Sequence, residues 1–237
     1  KRRDCIKFWC KSQYINRSKK TMQSLIKLFL CLSIFINANY IHSNEIFENN
    51  KLSVVLILGD NGYGTGVILS DDGYVLTNEH VVDDNPNLRA ALNYDYDLND
   101  YDEFIHTVEI IKINKQNDLA LLKINNPKTL LRPIKISRQS PLVGDQVYAI
   151  GHPDFSVWSY TTGYISQIRD DFEWSYSDNF ERLADVYETQ TPIAEGSSGG
   201  PLLNKYGNLI GINTFGDEEL VFQNFSLTVN EIINFLK

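Results

Sequence analysis

Three residues of this chain have types and an order that can support nucleophilic acyl transfer: His80, Asp118 and Ser198. Ser198 lies in Gly196-Ser197-Ser198-Gly199-Gly200-Pro201, where the glycines allow a tight turn and keep bulk away from the hydroxyl. A serine hydroxyl is a weak nucleophile at neutral pH. It needs a base within hydrogen-bond reach and a third group to orient that base. Gly196, Ser198 and Gly200 also fit a Gly-x-Ser-x-Gly elbow, but that elbow takes its histidine from after the serine. The histidines are His42, His80, His106 and His152, and all precede Ser198. The order therefore excludes the elbow and leaves histidine, aspartate, serine. Each residue alone has an ordinary reading as a turn, a packed histidine or a strand-capping aspartate. His106 and His152 keep that reading. The conjunction of the other three does not.

The segments that carry these residues read as short β-strands broken by turn residues, from Lys51 onwards. Leu52–Leu58 and Thr65–Ser70 are rich in apolar and β-branched residues, and Asp71-Asp72-Gly73 is a hairpin turn. Tyr74–Thr77 leads directly into Asn78-Glu79-His80. Asp83–Asp102 is acidic and poor in core residues, and predicts a strand of uncertain extent followed by a solvated loop. It lacks the glycine and terminal glutamate of a calcium loop, so no metal site is expected. Phe104–Ile113 resumes as a strand, and Asp118 stands at the mouth of the next, Leu119–Ile124. A second series follows at 144–151, 157–168, 184–193, 201–204, 209–214 and 221–229. Glu231–Leu236 closes the chain as a short helix. Many short strands in two series, divided near Pro127–Pro141, predict an all-β barrel or sandwich architecture.

Charge is distributed unevenly over the 237 residues, whose net formal charge is −8. Residues 1–27 carry nine Lys/Arg against Asp4, so the rest of the chain is strongly acidic. An acidic body excludes nucleic acid as a partner. Lys27 precedes the apolar run Leu28–Ile36, followed by Ala38. This pattern predicts a secretory signal peptide over 22–43, too short for a comfortable membrane span. No stable membrane anchor is expected after its removal. Met22 is the sole methionine, which predicts that translation starts there and that residues 1–21 are an upstream or disordered extension. Cys5, Cys10 and Cys31 all precede residue 44. An export signal on a cysteine-free body predicts a secreted or periplasmic protein.

The stretches Gly64–Val82, Asn117–Ile124, Val143–Pro153, Thr161–Ser166 and Gln190–Phe215 resemble the chymotrypsin-like serine proteases. Within them, the likeness is to the high-temperature-requirement, Deg/Do-like group. The resemblance covers about 51–237 and implies two antiparallel six-stranded β-barrels. Barrel one would span about 51–135 and barrel two about 142–229, with a C-terminal helix at 230–237, in a protease domain of 44–237. It implies Ser198 as nucleophile, His80 as general base and Asp118 as the group that orients it. The backbone N–H groups of Gly196 and Ser198 would form the oxyanion hole. No metal or organic cofactor is implied, and the substrates would be polypeptides, unfolded ones above all. The oligomeric state stays open.

Two departures from related patterns matter. Ser197 stands where zymogen-type trypsins carry an aspartate, so activation by a freed amino terminus is not expected. Relatives in this group usually continue into PDZ domains, whereas the chain ends at Lys237, so sensing by an attached PDZ domain is not expected either. By resemblance, the specificity pocket comes from Pro192, Glu195, Asn213, Thr214, Phe215, Asn224 and Ser226. It has no aspartate at its base, which predicts cleavage after small or medium apolar residues, with Glu195 disfavouring acidic ones. Asn213-Thr214-Phe215 would pair with substrate as an added strand. The rival reading is a catalytically idle barrel serving as a chaperone or binding module. Such proteins usually lose a member of the triad, and here all three residue types are present.

Overall fold

A computed structural model describes residues 45–95, 101–176, 180–216 and 223–237. The expected extension, signal peptide and cysteines lie outside these residues, as do residues 96–100 of the acidic stretch. Residues 46–237 form one compact unit. Its first half consists of β1 (Val54–Leu58), β2 (Tyr63–Ile68), β3 (Tyr74–Thr77), β4 (Arg89–Ala91), β5 (Ile105–Asn114) and β6 (Leu119–Ile124). They close as a barrel in the order β1-β2-β3-β6-β5-β4. Its second half consists of β7 (Gln146–Gly151), β8 (Ser159–Ser175), β9 (Glu181–Thr189), β10 (Pro201–Leu203), β11 (Leu209–Gly216) and β12 (Asn224–Thr228). These close in the order β10-β11-β12-β9-β8-β7. The helix Val229–Phe235 follows at once, capped by the Thr228 hydroxyl, which accepts from Glu231 N–H. The fold is the pair of six-stranded antiparallel barrels with a terminal helix that the resemblance implied.

The continuous apolar character of β1 follows from burial on both faces. Val55 and Ile57 belong to the barrel-one core with Ile68, Val75 and Leu122. Val54, on the opposite face, belongs to a second core with Val67, Leu76, Tyr148, Ile150 and Ile212. Side chains alternate along a strand, so a strand between two cores needs no polar face. That second core draws on both barrels and welds them together. Val147, Ile165, Tyr187, Leu202 and Ile210 form a third cluster within barrel two.

The sequence expectation departs most from the structure at two places. Residues 51–53 form a 3-10 turn, so β1 starts at Val54 rather than Leu52. More consequentially, β8 runs on to Ser175 and β9 starts at Glu181, which makes a hairpin much longer than the segments read from sequence. The register shifts between Arg169 and Phe172, where Asp171 has φ 47°. Such a bulge interrupts apolar–polar alternation, which hides the outer half of the hairpin from pattern reading.

Candidate active site

β3 ends at Thr77, and Asn78 leads into a single helical turn, Glu79–Val82, that carries His80. The Asn78 amide donates to the Asp118 carbonyl at 2.9 Å, tying the two segments together. Asp118 sits one residue before β6 with φ 51° and is fully buried. Its carboxylate receives donors from several sides. The His80 backbone N–H donates to Oδ1 at 3.0 Å, and His80 Nδ1 lies 3.0 and 2.9 Å from the two oxygens. The Thr214 hydroxyl donates to Oδ2 at 2.5 Å, and the Tyr176 hydroxyl donates to the same oxygen at 3.0 Å. Burial alone would push this carboxyl up; the His80 charge, with the His80 and Thr214 hydrogen bonds, outweighs it and holds the carboxyl below its ordinary range. A carboxylate facing Nδ1 fixes the proton on that nitrogen and leaves Nε2 as the acceptor. The pair is therefore arranged as a base with an orienting anion behind it.

The Ser198 turn is held mainly by backbone. The Thr65 N–H donates to the Ser198 carbonyl at 2.8 Å, and Gly199 N–H to the Asn213 carbonyl at 2.8 Å. The Thr65 hydroxyl donates to the Gly196 carbonyl at 2.7 Å. Gly196 and Gly199 have φ +90° and +84°; a side chain at Gly199 would overlap the Thr65 carbonyl, and one at Gly196 the Tyr63 ring. Both positions thus demand glycine on conformation and on space. The Glu195 carbonyl accepts from Asp154 N–H at 2.9 Å and from the Tyr63 hydroxyl at 3.4 Å. Because a trans peptide sets C=O and N–H on opposite sides, this turns Gly196 N–H the other way, with the N–H groups of Gly196 and Ser198 unbonded among the described residues. Tyr63 stacks on Phe155 at 3.8 Å, adding an aromatic prop. Ser197 is buried, and its hydroxyl accepts from Ala194 N–H at 3.2 Å, a turn-stapling role.

The Ser198 hydroxyl donates to the Thr214 carbonyl at 2.9 Å. No hydrogen bond joins it to His80 among the described residues; rotation about the Cα–Cβ bond is needed to engage the base. His80 and Ser198 both line a cavity of about 1160 Å³, whose walls include Pro192, Ile193, Glu195, Thr214, Phe215 and Asn224. Phe172, Trp174 and Tyr176 of the long hairpin line it too. Phe215 stacks against Phe225 at 4.7 Å and Trp174 at 5.2 Å, so one wall is a bank of aromatic rings. Asn213 and Ser226, expected in this wall, lie outside it: both are buried, and the Ser226 hydroxyl donates to Asn213 Oδ1 at 2.9 Å. Nor is the Asn213 backbone open to a substrate strand, since its N–H donates to Gly200 and its carbonyl accepts from Gly199. The reason is the shift in β11–β12 register between Asn213 and Phe215, which changes which side chains face inward.

The model of the trypsin-like peptidase domain matches residues 64–212, which span the histidine, aspartate and serine just described. The chain belongs to the trypsin-like peptidase family. Among curated relatives, this trypsin-like peptidase is 36% identical over 186 residues to the chloroplastic Protease Do-like 1 of Arabidopsis thaliana, with 72% of the chain and 40% of the relative covered. It is 37% identical over 154 residues to the periplasmic pH-dependent serine endoprotease DegQ of Escherichia coli K12, covering 65% of the chain and 31% of the relative. The chain thus spans well under half the length of these relatives. Among solved structures, a serine endoprotease from Yersinia pestis superposes with a TM-score of 0.67 at 28% identity, covering 82% of this chain and 65% of that one. The active form of a protease from M. tuberculosis gives 0.71 at 22% identity over 83% and 84% of the two chains, a likeness of fold.

Reading the sequence of this trypsin-like peptidase missed Tyr176, because nothing local marks a tyrosine at a hairpin tip as a partner of Asp118. Thr214, expected at the substrate, does line the cavity, and in addition its side chain serves Asp118 and its carbonyl serves Ser198. His152 is fully buried and accepts from Trp158 N–H at 3.0 Å; burial lowers it to about 4, so it is a neutral packing residue at neutral pH. His106 is buried as well and is likewise lowered by desolvation.

Proposed function

We propose that this trypsin-like peptidase is a serine endopeptidase that works through a covalent acyl-enzyme on His80, Asp118 and Ser198. The observation that carries the reading is that His80, hydrogen-bonded to the buried Asp118 carboxylate, lines the same cavity as Ser198. In this mechanism Ser198 Oγ leaves the Thr214 carbonyl, transfers its proton to His80 Nε2 and attacks the peptide carbonyl carbon. The oxyanion of the tetrahedral intermediate is met by the N–H groups of Gly196 and Ser198, which have no other hydrogen bond among the described residues. Collapse breaks the C–N bond, and the amine departs with the proton held by His80. A water molecule repeats the sequence on the ester, returning the acid product and free Ser198.

Support for an apolar primary specificity comes from the cavity wall, which includes Ile193, Phe215 and Phe225; Glu195 and Glu173 add negative charge there, and the one arginine in the lining, Arg169, is paired with Glu188. Cleavage falls after small or medium apolar residues and is disfavoured after acidic ones. Polypeptide substrates, unfolded ones above all, and an exported location in the periplasm or outside the cell complete the reading. The location is supported by the basic-flanked apolar run Leu28–Ile36 and by the periplasmic name of a relative. The protease domain is taken as 44–237.

The test is casein hydrolysis by the purified full chain alongside uptake of a fluorophosphonate label. Ser198→Ala should lose both, with activity falling by about six orders of magnitude. Retention of hydrolysis by a folded Ser198→Ala protein, or absence of label uptake by the wild type, would overturn the reading.

A further inference from the structure

The outer half of the β8–β9 hairpin sets one aromatic side chain against the His80–Asp118 pair. Tyr176 directly follows β8, and its hydroxyl donates to Asp118 Oδ2 at 3.0 Å while lying 3.1 Å from the Thr214 hydroxyl. Its ring centroid is 4.8 Å from that of His80. Behind the ring lies Arg182, whose guanidinium carbon is 4.4 Å from the Tyr176 centroid. Arg182 is buried and donates to Glu79 Oε2 at 3.1 Å, and Glu79 adjoins His80 in the same helical turn. The hairpin therefore grips the turn that carries the base, and brings a hydroxyl to the anion that orients it.

We propose that Tyr176 is a positioning residue for catalysis: its hydroxyl holds the Asp118 carboxylate in the orientation that fixes His80, and its ring excludes water from the pair. This rests on the peptidase reading given above. A buried carboxylate oxygen without its donors is costly and free to reorient. Oδ2 has Thr214 and Tyr176 as its hydroxyl donors, and the two arrive from different segments, which fixes the carboxylate plane better than one could. Burial and the Asp118 charge raise the Tyr176 hydroxyl far above the ordinary phenol range, so it remains a protonated donor at every working pH. A ring that merely filled space would not need that hydroxyl.

Tyr176→Phe in the full chain separates the two roles, because it keeps the ring over His80 and under Arg182. The charged groups around the site are Asp118, His80, Arg182 and Glu79, with Lys115 4.0 Å from Glu79 and 3.3 Å from Asp83, and Glu173, Glu195 and Arg169 in the cavity lining; all are retained in this variant. The expected result is a roughly tenfold fall in kcat with KM unchanged. The acid limb of the rate profile should move to higher pH, because a carboxylate with one donor fewer holds the imidazolium more tightly. In the proton NMR spectrum, the low-field His80 Nδ1 resonance should exchange faster with water. A folded variant with unchanged kcat, pH profile and Nδ1 exchange would overturn the proposal. A wild type that neither cleaves nor takes up label would sink the peptidase reading instead, while the Nδ1 resonance would still report on Tyr176.

Discussion

Around His80 and Asp118 the cleft is held by side chains, with imidazole and two hydroxyls converging on one buried carboxylate. Around Ser198 it is held by the main chain, with carbonyls of Glu195, Gly196 and Ser198 each bonded and glycines at the positions of positive φ. The first arrangement stores its order in charge and therefore responds to pH and to single-atom changes. The second stores it in conformation and excluded volume, and responds to any added carbon. A nucleophile whose reactivity depends on proton transfer needs an electrostatically tuned base. A hole that must be ready before charge develops needs rigid donors. The two regions meet at Thr214, whose hydroxyl belongs to the first and whose carbonyl belongs to the second.

After loss of Ser198 itself, the largest expected effect comes from neutralising the charged region. Asp118→Asn keeps the shape but presents an amide N–H where Nδ1–H needs an acceptor, stabilising the wrong tautomer. Steady-state kinetics should give a kcat lower by about four orders of magnitude, with the cavity and label-free fold unchanged. A loss of less than tenfold would mean that the charge does not organise His80.

Next comes the conformational region. Gly196→Ala forces a side chain into φ +90° and against the Tyr63 ring and the His152 carbonyl. The turn should rotate Gly196 N–H away from the cleft and cost about two to three orders of magnitude in kcat, read in the same assay. If kcat holds while stability falls, the turn is a structural staple and not a donor.

The smallest effect concerns the prop of that turn, and it is one of stability. His152 heads the loop whose Asp154 N–H holds the Glu195 carbonyl. Its folded value of about 4 lies below its ordinary 6.5. The stability it contributes is therefore complete above 6.5 and is lost as pH falls toward about 4, by roughly 3 kcal/mol in all. Denaturant midpoints measured across that window should slope downward for the wild type and flatten for His152→Gln. An unchanged slope would assign the acid sensitivity to another buried neutral imidazole, with His106, also lowered by burial, the next group to test.

The residue types for acyl transfer, their order and the glycines of the Ser198 turn were legible in the sequence, because that chemistry tolerates few residue types and positive φ tolerates few side chains. The two strand series were legible because short apolar runs between turn residues have few other solutions. Beyond that, contacts across the fold decided the outcome. Tyr176 reaches Asp118 across 58 residues, on a hairpin whose bulge breaks the alternation that would have announced it. Thr214 lies in the shifted register between Asn213 and Phe215, so its side chain turns to Asp118 while Asn213 and Ser226 close on each other beneath the cavity wall. Local pattern fixes what a strand is made of; a one-residue shift in its pairing decides which way each side chain faces.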